Sequence, residues 1–152
     1  MSWLQDHPAW LEVAYAATVH GLHPFRRWLR RGGWAEQVLI AAEELGKRAV
    51  FDCRMCGSCV LHSTGMTCPM TCPKNMRNGP CGGVQEDGRC EILRDQPCIW
   101  VLAWRRAEHM PRNGREIDLL LPPLDRRLEG GSAWINDLEG IATEAPAGWR
   151  RP

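Results

Sequence analysis

Eight cysteines fall between residues 53 and 98 of a 152-residue chain: Cys53, Cys56, Cys59, Cys68, Cys72, Cys81, Cys90 and Cys98. Their spacing is C-x2-C-x2-C-x8-C-x3-C-x8-C-x8-C-x7-C. The segment that holds them is rich in Gly, Pro, Asn and Thr, with two Cys-Pro pairs, a Gly-Gly and few aliphatic residues. Such a stretch has too little apolar content to build a core, so its fold depends on what the thiols hold.

The compartment decides between disulfides and metal. The N-terminus, MSWLQDHPAWLEVAYAATVHGL, has no basic leader region, and Asp6, His7 and Glu12 interrupt its apolar runs, so it does not read as a targeting segment. No stretch approaches the roughly 18 apolar residues of a membrane span. A cytoplasmic chain without membrane contact is expected, and in that reducing compartment metal explains eight cysteines better than disulfides do. A net charge of +1 offers no overall field for nucleic acid.

Three closely spaced thiolates, C-x2-C-x2-C, curl around one object the size of a cubane, as in bacterial ferredoxins, whose run ends C-x3-C-P. That ending recurs here downstream as Cys68-x3-Cys72-Pro73. Tetrahedral zinc takes separated pairs instead, and the third cysteine would be superfluous. All eight cysteines are therefore expected to ligate iron–sulfur clusters, with two [4Fe–4S] clusters favoured over one with spare thiols. Which four belong together is not readable. One division gives Cys53, Cys56 and Cys59 to one cluster with a remote fourth ligand, and most of the remainder to the other. Cys72 would then cross over, as the cysteine before proline does in two-cluster ferredoxins. Gly57, Gly79, Gly82 and Gly83 would let backbone N–H groups approach an anionic cluster, and Lys74 and Arg77 would supply positive charge. His62 reads as a surface or supporting residue. The alternative is a zinc-organised protein- or nucleic-acid-interaction module. No arrangement of a nucleophile with its base stands out, so an enzyme acting alone is the weakest reading.

The fold class expected is a small α plus irregular iron–sulfur domain. Residues 1–50 read as an N-terminal helical hairpin, with helices over 8–31 and 34–48, the latter stopped by Gly46. Residues 51–110 form the cysteine-rich loop core around the clusters, closed by a further helix near 97–109 on which Ile99, Leu102 and Ala103 share a face. Residues 111–152 read as an extended C-terminal arm whose DLLLPPL and Trp134 need a surface on the domain or on a partner chain.

The run CRMCGSCVLHSTGMTCPMTCPKNMRNGPCGG, followed by GRCEI and PCIWVLAW, resembles the methylenetetrahydrofolate reductase C-terminal domain family over roughly residues 45 to 140. The later PPLDRRLEGGSAWINDLEG is similar to that family's tail, with its L-x-G-x-S-x-W-x-N element. The resemblance implies a non-catalytic iron–sulfur subunit that binds a flavin-dependent methylenetetrahydrofolate reductase and relays electrons or organises the complex. Flavin and folate would sit on the partner. A TIM barrel, the fold of that reductase, needs about 250 residues, and this chain has no Gly-rich dinucleotide fingerprint.

Overall fold

The computed structural model describes residues 3–145 and Gly148, so most of the APAGWRRP tail lies outside the described residues. Among the described residues there is no strand. Helices and 3-10 turns carry the fold, with two isolated antiparallel bridges, Val84 to Cys90 and Arg89 to Pro97. No described helix is long and apolar enough to cross a membrane.

The first helix, α1, runs Pro8–Leu22 after a 3-10 turn at Trp3–Asp6, with Pro8 in its first turn. It stops short of the expected residue 31. Pro24 has no N–H with which to continue the ladder, and the chain tightens into a 3-10 turn at His23–Phe25. Arg26, Arg27, Arg30 and Arg31 follow in the irregular connection, all exposed.

The second helix, α2, covers Trp34–Phe51 and passes through Gly46 without ending. Glu43, Lys47 and Phe51 are buried at four-residue intervals on one face, and that packing outweighs the ~1 kcal/mol that a mid-helix glycine costs. The helix ends where Asp52 turns left-handed (φ 51°, ψ 45°) and its N–H returns to the Arg48 carbonyl. α1 meets α2 through Tyr15, whose ring centroid lies 5.8 Å from Lys47 Nζ, and Gln5 Nε2 donates to the Val50 carbonyl at 2.7 Å. Leu11 and Tyr15 pack against an apolar cluster of Phe51, Leu61, Met66, Cys68 and Met110. Glu12, 2% exposed, ties α1 to the segment after the third helix by accepting the backbone N–H groups of Asn113 (2.7 Å) and Arg112 (3.3 Å).

The third helix, α3, spans Ile99–Ala107. Its buried face is Trp100, Ala103, Arg106 and Ala107; Ile99 and Leu102 are only half-buried, so the inward face sits one residue round from the one expected. Trp100 Nε1 donates to the Met76 carbonyl at 2.8 Å, and Arg106 reaches Thr67 Oγ1 (3.1 Å) and Asp6 Oδ1 (3.2 Å). Gly65 (φ +60°) lies so close to α3 that a Cβ there would stand 2.2 Å from the Ala103 carbonyl oxygen.

The C-terminal arm is less extended than its composition suggests. It carries 3-10 turns at Gly114–Asp118, Arg126–Leu128 and Ile141–Thr143 and a fourth helix, α4, at Ala133–Leu138. Ser132 caps α4, its Oγ accepting the Ile135 N–H at 3.2 Å. Leu119 and Leu120 of DLLLPPL stay exposed.

Candidate functional site

The eight cysteines line two cavities, four in each. Cys53, Cys56, Cys59 and Cys68 line a small cavity of about 20 Å³, with Glu43 and Lys47 in the wall. Cys72, Cys81, Cys90 and Cys98 line another of about 20 Å³, with Lys74 and Glu91 in the wall. None of the eight forms a disulfide. The chain passes from one cavity to the other through the 3-10 turn Pro69–Thr71, where the Cys68 carbonyl accepts the Thr71 N–H (3.2 Å) and hydroxyl (2.7 Å). Cys72 thus stands with the cavity opposite the C-x2-C-x2-C run. His62 lines neither; it stacks on Tyr15 and lies 3.7 Å from Glu116.

Local backbone conformation turns the first three thiols inward. Met55 and Gly57 take positive φ (48° and 73°) on either side of Cys56, and the Met55 N–H points at Cys53 Sγ from 3.3 Å. A Cβ on Gly57 would fall 1.9 Å from the Leu128 carbonyl oxygen, so only glycine fits. At the second cavity the two β-bridges fold residues 84–98 around the thiols, with the Cys98 N–H donating to the Gly88 carbonyl (2.9 Å) and the Cys90 N–H to that of Gln96 (3.0 Å).

The electrostatics of the two cavities differ. At the first, burial pushes the Cys53 and Cys56 thiols up, and it pushes Cys68 up to about 12, with the neighbouring cysteines adding to the effect. Burial thus favours the protonated thiol over the thiolate at these three positions. Burial works against the Lys47 charge, but Cys59 and Glu43 outweigh it and hold its pKa above the ordinary value. Tyr15 is raised by burial and by the neighbouring Cys59. Arg77 approaches this cavity too; burial lowers its pKa and Cys56, Cys59 and Cys68 oppose that. At the second cavity Lys74 pairs with Glu91, whose Oε1 is 3.8 Å from Cys81 Sγ. Lys74 is raised and Glu91 lowered chiefly by their mutual hydrogen bond.

The tail element that the sequence offered only as a pattern supports the first cavity residue by residue. Leu128 covers Gly57, and the Gly130 N–H donates to the Met55 carbonyl at 2.8 Å. Ser132 Oγ donates to Glu43 Oε2 at 2.7 Å, and the Trp134 ring centroid lies 4.5 Å from Lys47 Nζ. Asn136 Nδ2 donates to the Gly57 carbonyl at 2.7 Å. Glu43, Lys47, Ser132 and Asn136 thus belong to the site's scaffold, although sequence reasoning missed them. Their signal was a buried-type helix face carrying charge, and two small polar tail residues four positions apart.

Among the described residues no three His, Cys, Asp or Glu side chains converge tightly enough to hold a metal ion. The thiols stand instead around the two spaces described above.

The described residues form a small, mostly helical domain whose central loops gather eight thiols in two groups of four beside apolar clusters. The family described as methylene-tetrahydrofolate reductase C terminal matches residues 34–127, and the chain belongs to that family. The match takes in α2, all eight cysteines and α3; α1 and the contacts of residues 128–136 lie outside it. No curated protein and no solved structure matches the chain.

Proposed function

We propose that the protein is an iron–sulfur subunit of a flavin-dependent methylenetetrahydrofolate reductase. One [4Fe–4S] cluster would be held by Cys53, Cys56, Cys59 and Cys68, and a second by Cys72, Cys81, Cys90 and Cys98. The observation that carries this reading is the four-and-four division of thiols around two cavities of similar size. The donor set fits: thiolate is the standard ligand of such clusters, and four thiols spread around a space suit a polynuclear group better than a single ion. When bound, such a cluster supplies one-electron exchange.

The chain's own residues prepare the sites. Apolar residues and glycines line the walls, Tyr15 lies beside Cys59, and Lys47 and Arg77 place positive charge beside thiols that become anionic on ligation. Partner binding is supported by the family and by the surface. Trp10, Phe25, Trp28, Trp34, Val38 and Leu45 of the first two helices and their connection are all more than half exposed, Trp34 by 84%. That much exposed aromatic and aliphatic surface fits a face covered by another protein.

Anaerobic purification with the reductase, followed by metal and sulfide analysis, tests the proposal. Iron and acid-labile sulfide near eight atoms of each per chain are expected for two [4Fe–4S] clusters. Stoichiometric zinc without sulfide would overturn it.

A further inference from the structure

Arg77 lies between Cys72 and Cys81, so by sequence it belongs to the second cavity, yet its guanidinium serves the first. Nη2 donates to Ser58 Oγ at 2.9 Å and Nη1 to the Ser58 carbonyl at 3.4 Å; Cys56 Sγ lies 3.6 Å from that same carbonyl. Nε donates to the Pro122 carbonyl at 3.0 Å. Its neighbours in sequence are pinned as well. The Met76 carbonyl accepts the Trp100 indole N–H, and Asn78 exchanges two hydrogen bonds with the backbone of Leu121 at 2.8 and 2.9 Å. The position is therefore fixed, and every partner of the guanidinium is a neutral oxygen. Arginine stays charged even when burial lowers its pKa.

Other charges at the two cavities are answered locally. Glu43 pairs with Lys47 at 2.6 Å in the first, and Glu91 pairs with Lys74 in the second. What remains is an unanswered cation beside the first cavity, whereas at the second the charges next to Cys81 form a balanced pair, with Glu91 Oε1 3.8 Å from the Cys81 sulfur and Lys74 on that carboxylate.

We infer that Arg77 sets a difference in reduction potential between the two sites, holding the site of Cys53, Cys56, Cys59 and Cys68 above that of Cys72, Cys81, Cys90 and Cys98. This rests on the two-cluster reading. A fixed positive charge in a partly dehydrated setting favours the more negative, reduced state of a nearby cluster, and a carboxylate disfavours it. Arg77 is a positioning residue for charge; it ligates nothing.

Redox titration of the full chain, followed by electron paramagnetic resonance on anaerobic samples of known iron and sulfide content, reads the effect directly. The wild type should show two separated potentials. Arg77→Gln should lower the higher one and leave the other in place, Arg77→Lys should stay near the wild type, and Glu91→Gln should raise the lower one and narrow the gap. An unchanged higher potential in a fully loaded Arg77→Gln chain would overturn the inference. Equal shifts in Arg77→Gln and Arg77→Lys would do the same, since they mark a purely structural role. If Arg77→Gln loses its iron, Arg77→Lys and Glu91→Gln decide: an unchanged gap in Glu91→Gln, or a lowered higher potential in Arg77→Lys, counts against it. A wild-type chain without iron and sulfide would fail the two-cluster reading itself.

Discussion

The Lys47 ammonium lies 2.6 Å from a Glu43 carboxylate oxygen, one helical turn away, and both side chains are almost wholly buried. Tail residues complete the arrangement, with Ser132 and Ala133 donating to the carboxylate and Trp134 stacking under the ammonium. A buried pair of this kind is held by the groups around it as much as by its own attraction.

Breaking the pair from one side should therefore be costly. Lys47→Met leaves Glu43 charged and buried and should destabilise by about 3 kcal/mol, the low end for such pairs because Ser132 and Ala133 still serve the carboxylate. The double change Lys47→Met with Glu43→Leu should recover much of the loss. Denaturant unfolding of the anaerobic chain measures both; a single variant as stable as the wild type contradicts the role given to the pair.

The division of thiols predicts half-loss on either side. Cys68→Ser and Cys98→Ser should each retain about four iron and four sulfide of roughly eight, because each removes a ligand from one cavity only. If either variant loses all of its iron or none of it, the four-and-four division fails.

Gly57→Ala places a methyl group 1.9 Å from the Leu128 carbonyl oxygen at a positive φ. Left-handed strain alone costs about 1–2 kcal/mol and the overlap adds to it, so a loss beyond about 2 kcal/mol is expected in thermal unfolding. Gly82→Ala, where a Cβ meets nothing within 4 Å, is the control and should change little.

The exposed aromatic face predicts a separation of stability from association. Trp28→Ser and Trp34→Ser should alter unfolding by no more than about 0.5 kcal/mol, since both rings are solvent-exposed, while co-purification with the reductase falls. Undiminished pull-down by the double variant would remove this face from the interface.

Asp125 supplies a pH signature away from the cysteines. Its hydrogen bonds from the Arg127 side chain and backbone hold its carboxyl down to about 2. A folded-state pKa below the unfolded value means that its contribution is present above the ordinary carboxylate range near 4 and is lost as pH falls through about 2. Carbon NMR should place the midpoint near 2 and move it upward in Arg127→Gln; a midpoint near 4 in the wild type would show that the pair does not form.

That Cys53, Cys56 and Cys59 would lie together was legible, because two-residue gaps keep such thiols close, and all three line one cavity. Their fourth companion was not. Cys68 and Cys72 are equivalent by composition, each before a proline, and only the turn at Pro69–Thr71 and the left-handed residues around Met55 and Met66 decide which cavity each faces. Helix ends were misread where tertiary packing overrode a local signal, as at Gly46, and α1 was overextended where Pro24 removed a donor. The tail pattern was visible as a likeness, but Ser132 meets Glu43 across 89 positions, a pairing that no local period announces. Arg77 is hidden in the same way, since its bond to Ser58, 19 positions back, crosses from one thiol group to the other.

Cys68 and Cys72 face different cavities with only three residues between them. Four residue steps reach at most about 14 Å fully extended, and a 3-10 turn draws them closer. The two thiol groups are thus joined by a short leash, and a shift of either group is felt at the other.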